Sequence, residues 1–196
     1  MKAYINVNLV TCDSEFHVYQ EGLLVVEDDR IAYCGPYDQA WLEKCSETVD
    51  YEGAWIMPGL VNCHTHSAMT LLRGIRDDSN LHEWLEDYIW PAESQFTAEV
   101  TTKAVQFALA EMLLSGTTTF NDMYNPHGVD IKQVYQAVRQ SGMRCYFSPT
   151  LFTSPAETAE ETLIRTRAII EEILSYDDKN FQVMVAPHSP LSLIHI

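Results

Sequence analysis

Basic side chains are scarce: 12 Lys and Arg stand against 28 Asp and Glu, a formal net charge of −16. A surface this acidic repels phosphate, which argues against nucleic-acid binding and suits a soluble cytoplasmic protein. No apolar run approaches the roughly 20 residues that a membrane-spanning helix needs, so no membrane partner is expected. The opening MKAYINVNLV has no long apolar core and no small-residue cleavage site, so it is not read as a signal peptide. Cysteine is an odd five (Cys12, Cys34, Cys45, Cys63, Cys145) without a C-x-x-C pair. That pattern fits reduced thiols rather than a disulfide frame or a thiolate metal site.

What remains is enough for a real core: 46% of the 196 residues are apolar, in a chain sized for one or two domains. Residues 1–53 read as a small β domain. Short β-type runs at 4–10, 22–26 and 30–33 are separated by turns such as Glu27-Asp28-Asp29 and Gly35-Pro36. His17 stands isolated there and reads as a surface residue.

From residue 54 strands alternate with helices. Residues 54–62 form a turn-bounded apolar strand that runs into His64-Thr65-His66. Side chains two apart on a strand share a face, so both imidazoles aim at one spot at its end. A divalent metal needs that from its first two nitrogen ligands. Leu81, Trp84, Leu85, Tyr88 and Ile89 make one helical face, with Asn80 and Glu83 as a cap pair and Pro91 as the expected stop. A helix is expected over 97–115, ended by Gly116, then a strand over 117–124. Asp130 caps a helix that Gly142 closes, and 144–152 is a third strand. Ser154-Pro155-Ala156-Glu157 reads as the start of the next helix, and 181–186 as a fourth strand ending in Pro187-His188-Ser189. The fold class is α/β: four βα units of a parallel sheet, the N-terminal part of a (β/α)8 barrel over 54–190, preceded by a small β-sandwich subdomain over 1–53.

Such a barrel takes about 250 residues, so the chain is expected to be truncated. Residues 191–196, LSLIHI, break the pattern and coincide with the translation of a transposase-type sequencing adapter, CTGTCTCTTATACACATC. They are read as a non-native tail, and His195 is not taken as a ligand.

Several polar residues admit two readings. Glu93, after the expected helix stop, is either a carboxylate over the barrel mouth or a solvated surface acid. His188 at a strand end is either a site residue or a satisfied core histidine. Asn121 and Asp122 read as structural hydrogen-bonders, His82 and His127 as surface residues, and Cys63, Met69, Met112 and Met123 as core.

The blocks PGLVNCHTHSAMTLLRG, DDSNLHEWLEDYIWPAE, SGTTTFNDMY and APHSP resemble the metal-dependent amidohydrolase superfamily. Within it the likeness is to the branch of 5-methylthioadenosine/S-adenosylhomocysteine deaminases and chlorotriazine hydrolases. The resemblance implies one divalent metal, usually zinc, at the barrel mouth, with His64 and His66 as two of its ligands. It also implies Glu93 on the nucleoside ribose and His188 on the substrate. The other ligands, a histidine after the fifth strand and an aspartate after the eighth, have no counterpart here, nor has the proton-relaying glutamate. Some members carry a substrate-binding arginine after strand three, where this chain has none. The implied activity is hydrolytic deamination of an adenine nucleoside at C6. Alternatives are another amidohydrolase reaction, on guanine, cytosine or a chlorotriazine, or a non-catalytic truncated fragment. The implied partner is a small nucleoside or heterocyclic amine, with a homo-oligomer expected at full length.

Overall fold

In the computed structural model, which describes residues 1–124, 128–151 and 158–187, the chain divides into two units, Met1–Gly59 and Leu60 onward. In the first, β1 (Lys2–Val10), β2 (Val18–Glu27) and β3 (Arg30–Pro36) form an antiparallel meander. The two-residue turn at Asp28-Asp29 joins β2 to β3, and Asp28 takes the left-handed conformation that short acidic residues tolerate. After α1 (Gln39–Leu42), capped by the Asp38 carboxylate, β4 (Glu47–Asp50) and β5 (Trp55–Ile56) pair parallel with opposite ends of β1. Strand alternation turns Ala3, Leu23 and Val25 to one face, where Trp41 and Leu42 cover them. Residues 54–62, expected as one strand, are thus two: Trp55–Ile56 belongs to this first sheet, and Pro58-Gly59 separates it from the next strand.

The second unit opens with β6 (Leu60–Thr65) and a short 3₁₀ segment, Ser67–Leu72. Next come α2 (Leu81–Glu83), a π-helical turn over Trp84–Ile89 and α3 (Trp90–Glu93), which run on as one helical stretch. The Asn80 side chain accepts from the Glu83 backbone N–H at 3.1 Å, as the cap pair implies. Pro91 does not stop the helix. The Trp90 N–H reaches back to the Leu85 carbonyl, a π-type bond, and the widened turn lets proline sit in the first turn of α3, where its missing donor is not needed. Glu93 therefore ends a helix rather than following one.

Beyond it lie α4 (Ala98–Leu114), β7 (Thr117–Tyr124), α5 (Ile131–Ser141), β8 (Arg144–Leu151), α6 (Ala159–Ser175), β9 (Phe181–Val183) and β10 (Ala186–Pro187). Thr97 and Asp130 cap α4 and α5, and Gly142 closes α5 at φ +74. The cap of α6 is Thr158. Its backbone N–H donates to the Glu161 carboxylate at 2.8 Å and its hydroxyl accepts the Glu161 N–H at 3.3 Å, a reciprocal pair. Ser154 and Pro155 lie outside the described residues. The expected fourth strand is interrupted at Met184-Val185.

All pairings in this sheet are parallel. β6, β7 and β8 lie side by side in chain order, and β9 and β10 both pair with β8. A helix between successive strands and sequential strand order make this the opening part of a (β/α)8 barrel. Val105, Leu109, Val134 and Val138 of the helices pack on Phe120, Phe147 and Phe181 of the strands. This core fixes the strands and so fixes what projects from their carboxyl ends. Among the described residues no helix is long and apolar enough to cross a membrane.

Candidate metal centre

β6 delivers the histidines. His64 is exposed on the strand and His66 half-buried just past it, with ring centroids 5.0 Å apart and planes 82° apart. Two imidazoles whose nitrogens sit ~2.0–2.1 Å from one tetrahedral ion have centroids about 5 Å apart. The observed spacing therefore fits shared ligation, as the strand argument implies.

Orientation of His66 comes from β7. Its Nδ1 lies 2.6 Å from the carbonyl oxygen of Met123. A carbonyl only accepts, so Nδ1 carries the proton and Nε2 keeps its lone pair. A neutral histidine that ligates through Nε2 is in that tautomer. His64 has its backbone N–H on the Asn62 Oδ1 at 3.1 Å.

Beside this pair, the Asp122 carboxylate accepts from the Ser67 N–H at 2.8 Å and from the Ser67 hydroxyl. Both residues are 1% exposed. Burial pushes the Asp122 carboxyl above its ordinary value, while the bonds from Ser67 and the nearby His66 pull it back. Asn121, one residue earlier, donates to the Tyr146 carbonyl at 3.2 Å and the Ser148 hydroxyl at 3.0 Å. Both residues are hydrogen-bonded, as read from the sequence.

Glu93 is half-buried, and its charge bears on the Tyr124 phenol at the end of β7. Burial, then the Glu93 charge, holds the Tyr124 phenol well above its usual range.

His188 and His127 lie outside the described residues. His17 and His82 are exposed, as expected. Cys63, expected in the core, is exposed. Among the described residues β6 pairs with β7 on one side only, and Leu60 and Val61 near Cys63 are likewise exposed. Among the described residues no set of three His, Cys, Asp or Glu side chains converges as a metal site. Ser67, the Met123 carbonyl and Tyr124 were not singled out from the sequence. The parallel register that sets Thr65 opposite Asp122 is the signal that links them.

The model of the amidohydrolase family matches residues 55–193. This chain belongs to the amidohydrolase family. It is 42% identical over 188 residues to a 5-methylthioadenosine/S-adenosylhomocysteine deaminase of Bacillus cytotoxicus, covering 96% of this chain and 43% of the relative. The enzyme of the same name from Bacillus cereus is 41% identical over 187 residues, covering 95% and 43%. The chain thus spans less than half the length of the curated relatives it matches. Among solved structures, an adenosine deaminase from Xanthomonas campestris with bound zinc is 29% identical with a TM-score of 0.78, over 97% of this chain and 43% of that one. Guanine deaminase from C. acetobutylicum with bound guanine (23%, TM-score 0.79) and a zinc-complexed atrazine chlorohydrolase from Arthrobacter aurescens (19%, TM-score 0.78) each match 95% of this chain and 46% of theirs. These last two likenesses speak to the fold.

Proposed function

We propose that the whole protein is a metal-dependent hydrolytic deaminase of adenine nucleosides, of the 5-methylthioadenosine/S-adenosylhomocysteine type. The observation that carries this reading is the pair of converging rings, His64 and His66, with the His66 Nε2 left free by the bond from Nδ1 to Met123. Support also comes from the similarity to relatives bearing that name.

His64 and His66 would hold one divalent ion, with zinc suggested by the zinc-bound structures of similar fold. Such an ion supplies the Lewis acidity that makes water a nucleophile at neutral pH. In the net reaction water oxygen becomes bonded to C6 of the adenine ring and the exocyclic nitrogen leaves as ammonia. Glu93, a half-buried carboxylate near Tyr124, is suited to accept hydrogen bonds from ribose hydroxyls and so turn remote binding into orientation at C6. His188 is the second substrate contact in this reading. Two protein ligands bind a metal weakly, because structural and catalytic zinc sites use three or four. The 196-residue chain by itself is accordingly expected to be catalytically silent.

The test is ammonia release from 5-methylthioadenosine, S-adenosylhomocysteine and adenosine by the protein as its host expresses it, with guanine and a chlorotriazine as comparison substrates. Release from an adenine nucleoside supports the reading. Metal-loaded protein that releases none from all three rejects it.

A further inference from the structure

The two residues that follow β6, His66 and Ser67, are gripped by two consecutive residues near the end of β7. His66 Nδ1 donates to the Met123 carbonyl, and Ser67 donates twice, through N–H and hydroxyl, to the Asp122 carboxylate. We propose that Asp122 is a positioning residue for the metal centre: by clamping Ser67 it fixes the His66 ring, with Nδ1 on Met123 and Nε2 free for the ion. This rests on the reading of His66 as a ligand.

The local backbone explains why a clamp is needed. His66 sits where β6 gives way to the 3₁₀ segment, at φ −128 and ψ 73, and its side chain makes no capping hydrogen bond to that segment. The residue lies past the strand ladder, and the 3₁₀ segment holds its carbonyl, which accepts from the Met69 N–H at 2.9 Å, but not its ring. The parallel register breaks just before this point and resumes with Thr65 opposite Asp122, which brings the residues that follow β6 beside the end of β7. The chemistry of the clamp is also specific. Ser67 presents two donors to two separate oxygens, which only a carboxylate supplies; an asparagine offers one acceptor and an amide. Burying a carboxylate costs free energy that an apolar side chain would avoid, and two hydrogen bonds from a single buried residue offset that cost. With the clamp in place, the short contact from Nδ1 to Met123 selects one tautomer and one ring angle.

The test uses ¹⁵N-labelled chain, whose ring nitrogens report tautomer directly by long-range proton–nitrogen spectra, and zinc alone as the metal. Ser67→Ala removes one donor and keeps the carboxylate; Asp122→Asn keeps the volume and removes one acceptor. In wild type His66 is expected as a single Nδ1–H tautomer. In both variants His66 is expected to shift toward a tautomer mixture, with His17 and His82 unchanged, and zinc affinity to fall about 10–100-fold. A folded variant of either kind with wild-type His66 signals and wild-type zinc affinity overturns the proposal. Unfolding of both variants also overturns it, because the pair would then hold the fold rather than the ring. A wild type that binds no zinc, with His66 still changing tautomer in the variants, supports the clamp and rejects the metal reading alone.

Discussion

The Nδ1 of His66 lies 2.6 Å from the carbonyl oxygen of Met123, the residue that follows Asp122 on β7. One strand thus carries the histidine and its neighbour sets the tautomer. Because both imidazoles must be neutral to ligate, zinc affinity is expected to fall as pH is lowered. Zinc titrations of the chain at stepped pH check this; affinity unchanged into the acid range would contradict ligation by histidine.

The buried Tyr124 phenol is held high by burial and by the nearby Glu93 charge. A raised folded-state value means the fold keeps a proton that the unfolded chain releases near pH ~10. Stability from this group is full below about pH 10 and is lost as pH rises further. Tyr124→Phe should flatten part of the alkaline loss and leave the part due to Tyr176, whose phenol is also raised by burial and by Glu172. At neutral pH the substitution should cost about 1–3 kcal/mol, the range for removing a partner from a buried polar group. Urea denaturation from neutral to alkaline pH measures both effects.

Asp13 behaves oppositely. Its carboxylate accepts from the His17 ring at 2.8 Å and from the His17 N–H at 3.1 Å, which lowers its pKa to about 2. Its stabilising contribution is present above the unfolded value near ~3.9 and is lost as pH falls through about 2. The pair is exposed and screened, so the effect is small and should weaken with salt. Asp13→Asn is expected to remove this part of the acid slope; an unchanged acid limb at low ionic strength would contradict the assignment.

Glycine positions separate backbone strain from steric clash. Gly142 sits at φ +74 with open space around it, so Gly142→Ala should cost about 1–2 kcal/mol from the left-handed backbone alone. Gly128 is at φ +70, and a Cβ there would meet the Phe96 carbonyl oxygen at 2.3 Å. Gly128→Ala should therefore be clearly the more damaging. Equal midpoints in urea for the two variants would contradict this.

The core makes a larger claim. Phe147 is 1% exposed, lies on β8 and stacks on Phe181 with centroids 6.3 Å apart. Phe147→Ala should cost about 3–5 kcal/mol, the range for emptying a buried aromatic position. A loss below 1 kcal/mol would show that β8 is not packed as described.

Local chemistry was what the sequence made legible. Asp130 and Gly142 bracket α5, Thr97 starts α4, and His64-Thr65-His66 converges at a strand end, because caps, left-handed glycines and strand alternation act within a few residues. Pro91 misled because a missing N–H is fatal only in an α register, and the π turn before it changes the register. Thr158 caps α6 through reciprocity with Glu161. Cys63 was misread because alternation gives the face of a strand and not what covers it. The Ser67–Asp122 and Tyr124–Glu93 pairs join residues far apart in the chain, which only the sheet register brings together.

The central claim is that His64 and His66 take one ion between them. Ring-nitrogen spectra of ¹⁵N-labelled chain during zinc titration test it most directly. The account predicts that His64 and His66 shift together along one binding curve, that His64→Ala largely abolishes the His66 shift, and that His17 and His82 stay still. Rings that respond independently, or exposed histidines that respond in their place, would contradict it.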